Sequence, residues 1–188
     1  MDALLTAFLA AAIAEFGDKT QLLVIALAAH YARPVSILAG VFAAALLSAS
    51  IAAVGGAFLH DLVTPRAISL LVALALVFVG ISGLFRFKPP RTSAHLRGGA
   101  FIAAASGAFL LEFGDRTQFV TGALAAQYGS FALTAIGAAA GVTAVSVPAA
   151  FLGERLPAAV PLRAIRIGLS ILLLGVGLVV AILASRLV

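Results

Sequence analysis

The stretch AEFGDKTQLL, residues 14–23, interrupts the first apolar segment of the chain with acidic, basic and amide side chains. A second stretch, LEFGDRTQFV at residues 111–120, repeats the pattern, and Glu15 of the first corresponds to Glu112 of the second. The two motifs therefore lie 97 residues apart, which is 112 minus 15. Because charged groups are costly in an apolar segment, their recurrence needs a physical explanation.

The same offset aligns other parts of the chain. ALAAHY at residues 26–31 matches ALAAQY at residues 123–128, and the RAI that begins at Arg66 matches the RAI that begins at Arg163. Self-similarity at one fixed offset is the signature of a repeat. The chain is therefore an internal duplication.

The composition indicates a membrane protein. Of the 188 residues, 63% are hydrophobic and only 10% are charged, and the mean hydropathy is +1.20. Soluble domains carry about a quarter charged residues. Each apolar segment has the roughly 20 residues that a helix needs to cross a bilayer. These segments run over residues 3–29, 34–59, 66–87, 99–126, 129–152 and 163–185. We therefore expect an all-α integral membrane protein with six transmembrane helices.

The six predicted helices divide into two repeats of three. The first repeat covers residues 1–87 and the second covers residues 99–188. Residues 88–98, with a Pro-Pro pair and several charges, are expected to form a linker. Because three is an odd number, the second repeat enters the membrane from the opposite side. Inverted repeats of this kind are typical of secondary transporters, which bind their substrate near the middle of the membrane.

The basic residues indicate the orientation. One predicted side carries only Arg66 and Arg186, whereas the other side carries eight basic residues. Those eight are Arg33, Arg86, Lys88, Arg91, Arg97, Arg155, Arg163 and Arg166. By the positive-inside rule, the linker is cytoplasmic and both termini are outside. Topology thus explains the net charge of +5, and we expect no nucleic-acid partner.

The first apolar segment and the absence of cysteine set two further limits. No Lys or Arg precedes Lys19, so the basic region of a cleaved signal peptide is missing and we expect the segment to remain as a helix. The chain has no cysteine, which excludes disulfides and thiolate metal ligands.

The polar side chains of each motif are expected to meet near mid-membrane. On a continuous α-helix, Glu15, Asp18 and Lys19 share one face. The equivalent residues of the second motif would do the same. If the repeats pack about a pseudo-two-fold axis, the two faces form one site with four carboxylates and two bases, a formal charge of −2.

Such a site suits a divalent cation. The predicted cation-binding residues are the motif acids Glu15, Asp18, Glu112 and Asp115. Polar residues that would support them are Lys19, Thr20, Gln21, Arg116, Thr117 and Gln118. A helix break at Gly17 and at Gly114 would add free carbonyl oxygens. Oxygen ligands favour Ca²⁺, Mg²⁺ or Mn²⁺, whereas zinc and copper would favour His or Cys.

The carboxylates also predict proton coupling. When the cation leaves, four carboxylates in a low dielectric cannot all remain charged, so some take up protons. This is cation–proton antiport. The expected partners are the cation, the proton and the lipid bilayer, with no bound cofactor. The chain alone would suffice as a monomer, and a homodimer is the alternative.

Both motifs match a known signature, Glu-x-Gly-Asp-(Lys/Arg)-(Thr/Ser), in full as EFGDKT and EFGDRT. The chain resembles the membrane protein family that carries two copies of it. That family includes the Golgi manganese/calcium transporter, chloroplast relatives and bacterial manganese exporters. The resemblance implies exchange of Mn²⁺ or Ca²⁺ for protons, with the four motif acids as the binding site. For a bacterial member it implies manganese export across the inner membrane.

Several alternatives remain at this stage. The cargo could be Ca²⁺ or Mg²⁺, since oxygen ligands alone do not separate these ions from Mn²⁺. A Glu–Lys pair four residues apart could be a structural salt bridge. An intramembrane aspartyl protease would use Asp18 and Asp115 as a catalytic pair. A non-transporting assembly factor for another membrane complex would use neither.

Overall fold

The computed structural model describes residues 1–85 and 98–186, so nearly all of the predicted linker lies outside the described residues. The described part is helical and contains no strand. Its helices are α1 (Asp2–Glu15), α2 (Lys19–Tyr31), α3 (Pro34–His60), α4 (Pro65–Leu84), α5 (Gly99–Glu112), α6 (Arg116–Tyr128), α7 (Phe131–Leu152), α8 (Arg155–Ala159) and α9 (Leu162–Arg186).

Four of the described helices, α3, α4, α7 and α9, are long and apolar enough to cross a membrane. The protein is therefore a multi-pass membrane protein. The apolar segments predicted over residues 3–29 and 99–126 are each interrupted, near the helix breaks expected at Gly17 and Gly114. Each of these segments is two helices of 13 or 14 residues, α1 with α2 and α5 with α6.

The interruptions lie at the two motifs. Gly17 adopts a φ of +73° and Gly114 a φ of +75°, a left-handed conformation that costs other residues roughly 1–2 kcal/mol. In the first turn the Asp18 amide donates to the Glu15 carbonyl at 3.1 Å. The expectation that Glu15, Asp18 and Lys19 share one face of a helix is therefore incorrect, because the helix ends at Glu15 and a new one begins at Lys19.

The two halves pack into each other. Helix α3 lies against α5 and α6, and its counterpart α7 lies against α1 and α2. Glycines allow the close approach: a methyl group on Gly137 would collide with the Leu4 carbonyl oxygen, and one on the equivalent Gly40 would collide with that of Phe101. The last helices of the halves, α4 and α9, pack along each other. Gly17 of the first motif turn is buried, whereas Phe113 and Gly114 of the second turn are exposed.

The halves differ in the length of α3 and its counterpart α7. FLHD at Phe58 and FLGE at Phe151 align at an offset of 93 rather than 97 residues (151 minus 58), which indicates a longer helix and a shorter loop in the first half. Helix α3 has 27 residues and α7 has 22. The second half then inserts the short helix α8 before α9.

Candidate cation site

Three of the four predicted cation-binding residues come together where the two turns meet. Carboxylate oxygens of Glu15, Asp18 and Asp115 all lie within 4.8 Å of one another. Glu15 and Asp18 are almost inaccessible, at 2% and 1% exposure, whereas Asp115 is partly accessible. The fourth acid, Glu112, is buried but is not part of this three-carboxylate cluster.

Two ion pairs join one motif to the other. Arg116 Nη2 lies 2.8 Å from Asp18 Oδ2, and Lys19 Nζ lies 3.3 Å from Asp115 Oδ1. Each base of one half therefore pairs with the aspartate of the other half. The arrangement is reciprocal but not equal, since the Arg116 pair is buried and the Lys19 pair is partly accessible.

Arg116 also binds groups beyond the cluster. Its Nη2 donates to the Ala14 carbonyl at 2.9 Å, at the carboxyl-terminal end of α1, where the helix dipole favours a positive charge. Its Nη1 donates to the Ser82 hydroxyl at 3.4 Å, on α4. The next residue, Thr117, donates a short hydrogen bond from its hydroxyl to Glu15 Oε1. The second motif thus orients the acids of the first.

Gln21 holds the first turn in place. Its Oε1 accepts a hydrogen bond from the Gly17 amide at 2.9 Å, and its Nε2 donates to the Val145 carbonyl of α7 at 2.9 Å. The side chain is buried, so neither bond is replaced easily by water.

Gln118 does the same for the second turn. Its Oε1 accepts from the Gly114 amide at 2.9 Å, and its Nε2 donates to the Ser48 hydroxyl of α3 at 2.7 Å. Ser48 and Val145 are themselves 97 residues apart. The duplication therefore extends to the individual hydrogen bonds that hold each turn. Thr20, the counterpart of Thr117, is also buried.

Several acidic oxygens of the site make no hydrogen bond. These are Glu15 Oε2, Asp18 Oδ1 and Glu112 Oε1, all of them buried. A buried carboxylate oxygen without a partner is unfavourable unless another positive group binds it. The donor set, which is made of hard oxygens, matches the ligands of a divalent cation such as Mn²⁺, Ca²⁺ or Mg²⁺.

Arg166 was not among the predicted site residues; it was counted with the basic residues of the cytoplasmic side, near the start of the sixth apolar segment. Arg166 lies on α9 with only 8% exposure, and it donates to the Gly17 carbonyl at 3.4 Å and to the Phe85 carbonyl at 3.1 Å. The sequence does distinguish Arg166 from the other basic residues. It follows Arg163 by one helical turn, and its counterpart in the first half is Ser69 rather than a basic residue.

Comparison with known proteins identifies the family. The model of the family described as Divalent cation/proton antiporter GDT1 matches the chain twice, over residues 3–89 and 100–186. A protein of Vibrio cholerae serotype O1, described as a "putative manganese exporter", is 34% identical over 117 residues. That match covers 62% of this chain and 58% of the length of the relative. No solved structure matches.

The family consists of transporters and not of enzymes, which argues against the aspartyl protease alternative. The two matched ranges coincide with the two halves of the duplication and together include both motifs. The chain belongs to the family of divalent cation/proton antiporters, GDT1.

Proposed function

We propose that this protein expels a divalent cation, with Mn²⁺ as the first candidate and Ca²⁺ as the second, in exchange for protons across a bacterial inner membrane. The observation that carries the proposal is the cluster of Glu15, Asp18 and Asp115, whose oxygens lie within 4.8 Å of one another. Family membership supports the exchange reaction, and the name of the Vibrio cholerae relative supports manganese and export.

In this proposal the three clustered carboxylates bind the cation and Glu112 is the fourth acid of the site. Oxygens of Glu15, Asp18 and Glu112 that make no hydrogen bond are available as ligands. The ion pairs engage Oδ2 of Asp18 and Oδ1 of Asp115, whereas Oδ1 of Asp18 makes no hydrogen bond. Arg116 and Lys19 therefore keep the aspartates in position while other oxygens remain for the cation.

Proton coupling follows from the same charges. A bound dication offsets the negative charge of neighbouring carboxylates in a site that is largely closed to water. When it leaves, like charges only a few ångströms apart repel, and the least costly response is protonation of one or more acids. The cation and the protons therefore compete for the same oxygens, which makes binding of one depend on release of the other.

The proposed architecture is two inverted repeats, in which α1 with α2, α3 and α4 form one half and α5 with α6, α7 and α9 form the other. Each broken segment would cross the membrane as one span with its turn near the middle. Half-helices whose ends meet at mid-membrane are a recurrent way to build an ion site in transporters. The bias of basic residues supports cytoplasmic loops after α2, α4 and α7, with both termini outside.

Export in cells is tested with a strain that lacks its own manganese exporter. Expression of the wild-type chain is expected to restore growth at high Mn²⁺ and to lower the metal content of the cells. Glu15→Gln, which removes a charge but little volume, is expected to do neither at equal abundance in the membrane. Restoration by both forms would contradict the proposed site, and restoration by neither would contradict the proposed cargo. Parallel growth tests at high Ca²⁺ and Mg²⁺ separate the three ions.

A further inference from the structure

The two halves are not equivalent where the last helices meet the broken segments. Helix α6 packs against α4, with Phe119 and Phe78 in an edge-to-face contact at 5.4 Å. The counterpart pair, α2 and α9, makes no comparable contact among the described helices. The α4–α9 pair therefore packs against α6 of the second half and makes no comparable contact with α2 of the first half.

The two motif glycines show the same asymmetry. A methyl group on Gly17 would lie 2.9 Å from the Leu162 carbonyl oxygen and 3.1 Å from Cβ of Arg166, so the first turn of α9 is in direct contact with the break. A methyl group on Gly114 would meet nothing within 4 Å. At the motif glycines, α9 therefore contacts the first motif, whereas α4 contacts the second motif through the hydrogen bond from Arg116 to Ser82.

Arg166 joins the first motif to the α4–α9 pair. Its guanidinium donates to the carbonyl of Gly17 in the first turn and to that of Phe85 at the end of α4, so a single side chain joins α9, α4 and the first motif. The counterpart of Arg166 in the other half is Ser69, whose side chain is too short to form the same bridge.

A cavity of about 740 Å³ adjoins this bridge. It is lined by Gly17 and Leu22 on one side and by residues between α8 and the start of α9, including Pro161 and Arg163, on the other. In the proposed orientation these elements lie on the cytoplasmic side. Gly17 of the first motif is thus adjacent to a cavity on the cytoplasmic side. A smaller cavity of about 480 Å³ lies on the opposite side, where Leu76 of α4 and Leu124 of α6 are among its lining residues.

We propose that Arg166 is a positioning residue that fastens the α4–α9 pair to the first motif in the cytoplasm-facing state, and that it must release Gly17 for the site to face outward. This proposal rests on the proposed function, which requires the site to open on each side in turn. By the symmetry of the repeats, the outward-facing state would bring α9 against α2 and free α6 from α4.

The absence of cysteine from the chain makes this directly measurable. Leu22→Cys places one reporter at the cavity, and Leu124→Cys places another at a buried position beside Leu76 of α4. Each is labelled in membrane vesicles with an impermeant thiol reagent applied from a known side, without any divalent cation. Arg166→Gln is compared with Arg163→Gln, a matched loss of charge at an exposed position one turn away.

In the wild type we expect fast cytoplasmic labelling at position 22 and slow labelling from outside at position 124. Arg166→Gln should reverse this balance: labelling slows at position 22 and speeds up at position 124, each by about tenfold, since hydrogen bonds from a charged group are lost. Arg163→Gln should label like the wild type. Unchanged rates in Arg166→Gln, or faster labelling at both positions, would overturn the proposal.

Arg166→Lys provides a second test if Arg166→Gln does not fold. It keeps the charge, but a single ammonium lacks the planar guanidinium that donates to two carbonyls. We therefore expect the same reversal, with a smaller change in the labelling rates. No reversal in Arg166→Lys would also count against the role of Arg166. Because labelling requires no cation flux, a reversal without Mn²⁺ transport would refute the proposed function and leave the role of Arg166 intact.

Discussion

Arg116 Nη2 lies 2.8 Å from Asp18 Oδ2, so the buried acid of the first motif is paired with the base of the second. The same relation holds in reverse between Lys19 and Asp115 at 3.3 Å. In each ion pair the acid and the base therefore come from different halves. The duplication gives two motifs of nearly the same sequence, and the fold makes each one depend on the other.

The buried ion pair should matter much more for stability than its counterpart. Arg116→Gln leaves Asp18 as a buried charge without its partner, a loss of about 3–5 kcal/mol. Lys19→Gln removes a partly accessible pair and should cost about 1 kcal/mol or less. Thermal unfolding of the purified protein in detergent checks the difference. Equal losses would mean that the Arg116–Asp18 contact is not a significant source of stability. Partial recovery of stability in the double variant Arg116→Gln, Asp18→Asn would support the role of that ion pair.

The two glutamines should be needed for the geometry of the turns. Gln21→Ala leaves the Gly17 amide and the Val145 carbonyl without their partners, at a cost of about 1–3 kcal/mol for each buried group. We expect cation affinity to fall by at least tenfold, because the carboxylates are no longer held together. Isothermal titration with Mn²⁺ measures this. The exposed Gln127→Ala serves as the control and should bind like the wild type.

Helix contacts at glycine should be intolerant of a single methyl group. Gly137→Ala on α7 collides with the backbone of α1, so we expect a loss of about 1–3 kcal/mol or a poorly folded protein. Gly55→Ala and Gly168→Ala place the methyl group in open space and should be neutral or stabilising by up to about 1 kcal/mol. The yield of monodisperse protein and its unfolding midpoint compare the three. A stable Gly137→Ala protein would contradict the close packing of α7 on α1.

Cation binding should release protons. The site must lose protons from its carboxylates before a dication can bind, so apparent affinity for Mn²⁺ should rise as pH rises and fall as pH falls. Titration calorimetry in buffers of different ionisation enthalpy measures the protons released for each ion bound. If the affinity for Mn²⁺ does not change with pH and no protons are released, cation binding is independent of proton binding. That result would contradict cation–proton exchange at this site.

The duplication and the helical membrane architecture could be predicted from the sequence, because each depends on spacing or composition that can be read along one dimension. The role of the four motif acids as cation ligands stays a prediction. The motif glycines were also recognised as breaks, yet Glu15, Asp18 and Lys19 were placed on one continuous helix face. That prediction failed because a positive φ at Gly17 redirects the chain.

Contacts between the halves could not be read from the sequence. The pairing of Arg116 with Asp18 and the absence of Glu112 from the three-carboxylate cluster depend on how the repeats are docked. Arg166 was counted only as a basic residue of the cytoplasmic side, because it lies near the start of an apolar segment. Only the packing of α9 against the first turn reveals that it is buried.

The most direct test of the central claim is metal-driven proton movement in proteoliposomes. Under an imposed pH gradient, Mn²⁺, Ca²⁺ or Mg²⁺ is added in turn to wild type, Glu15→Gln and Asp115→Asn, one variant from each motif. We expect proton flux driven by Mn²⁺ in the wild type and its loss in both variants. Flux in the wild type that survives in either variant would show that the two motifs do not form one exchange site. No flux with any of these ions, from folded wild-type protein, would contradict antiport itself.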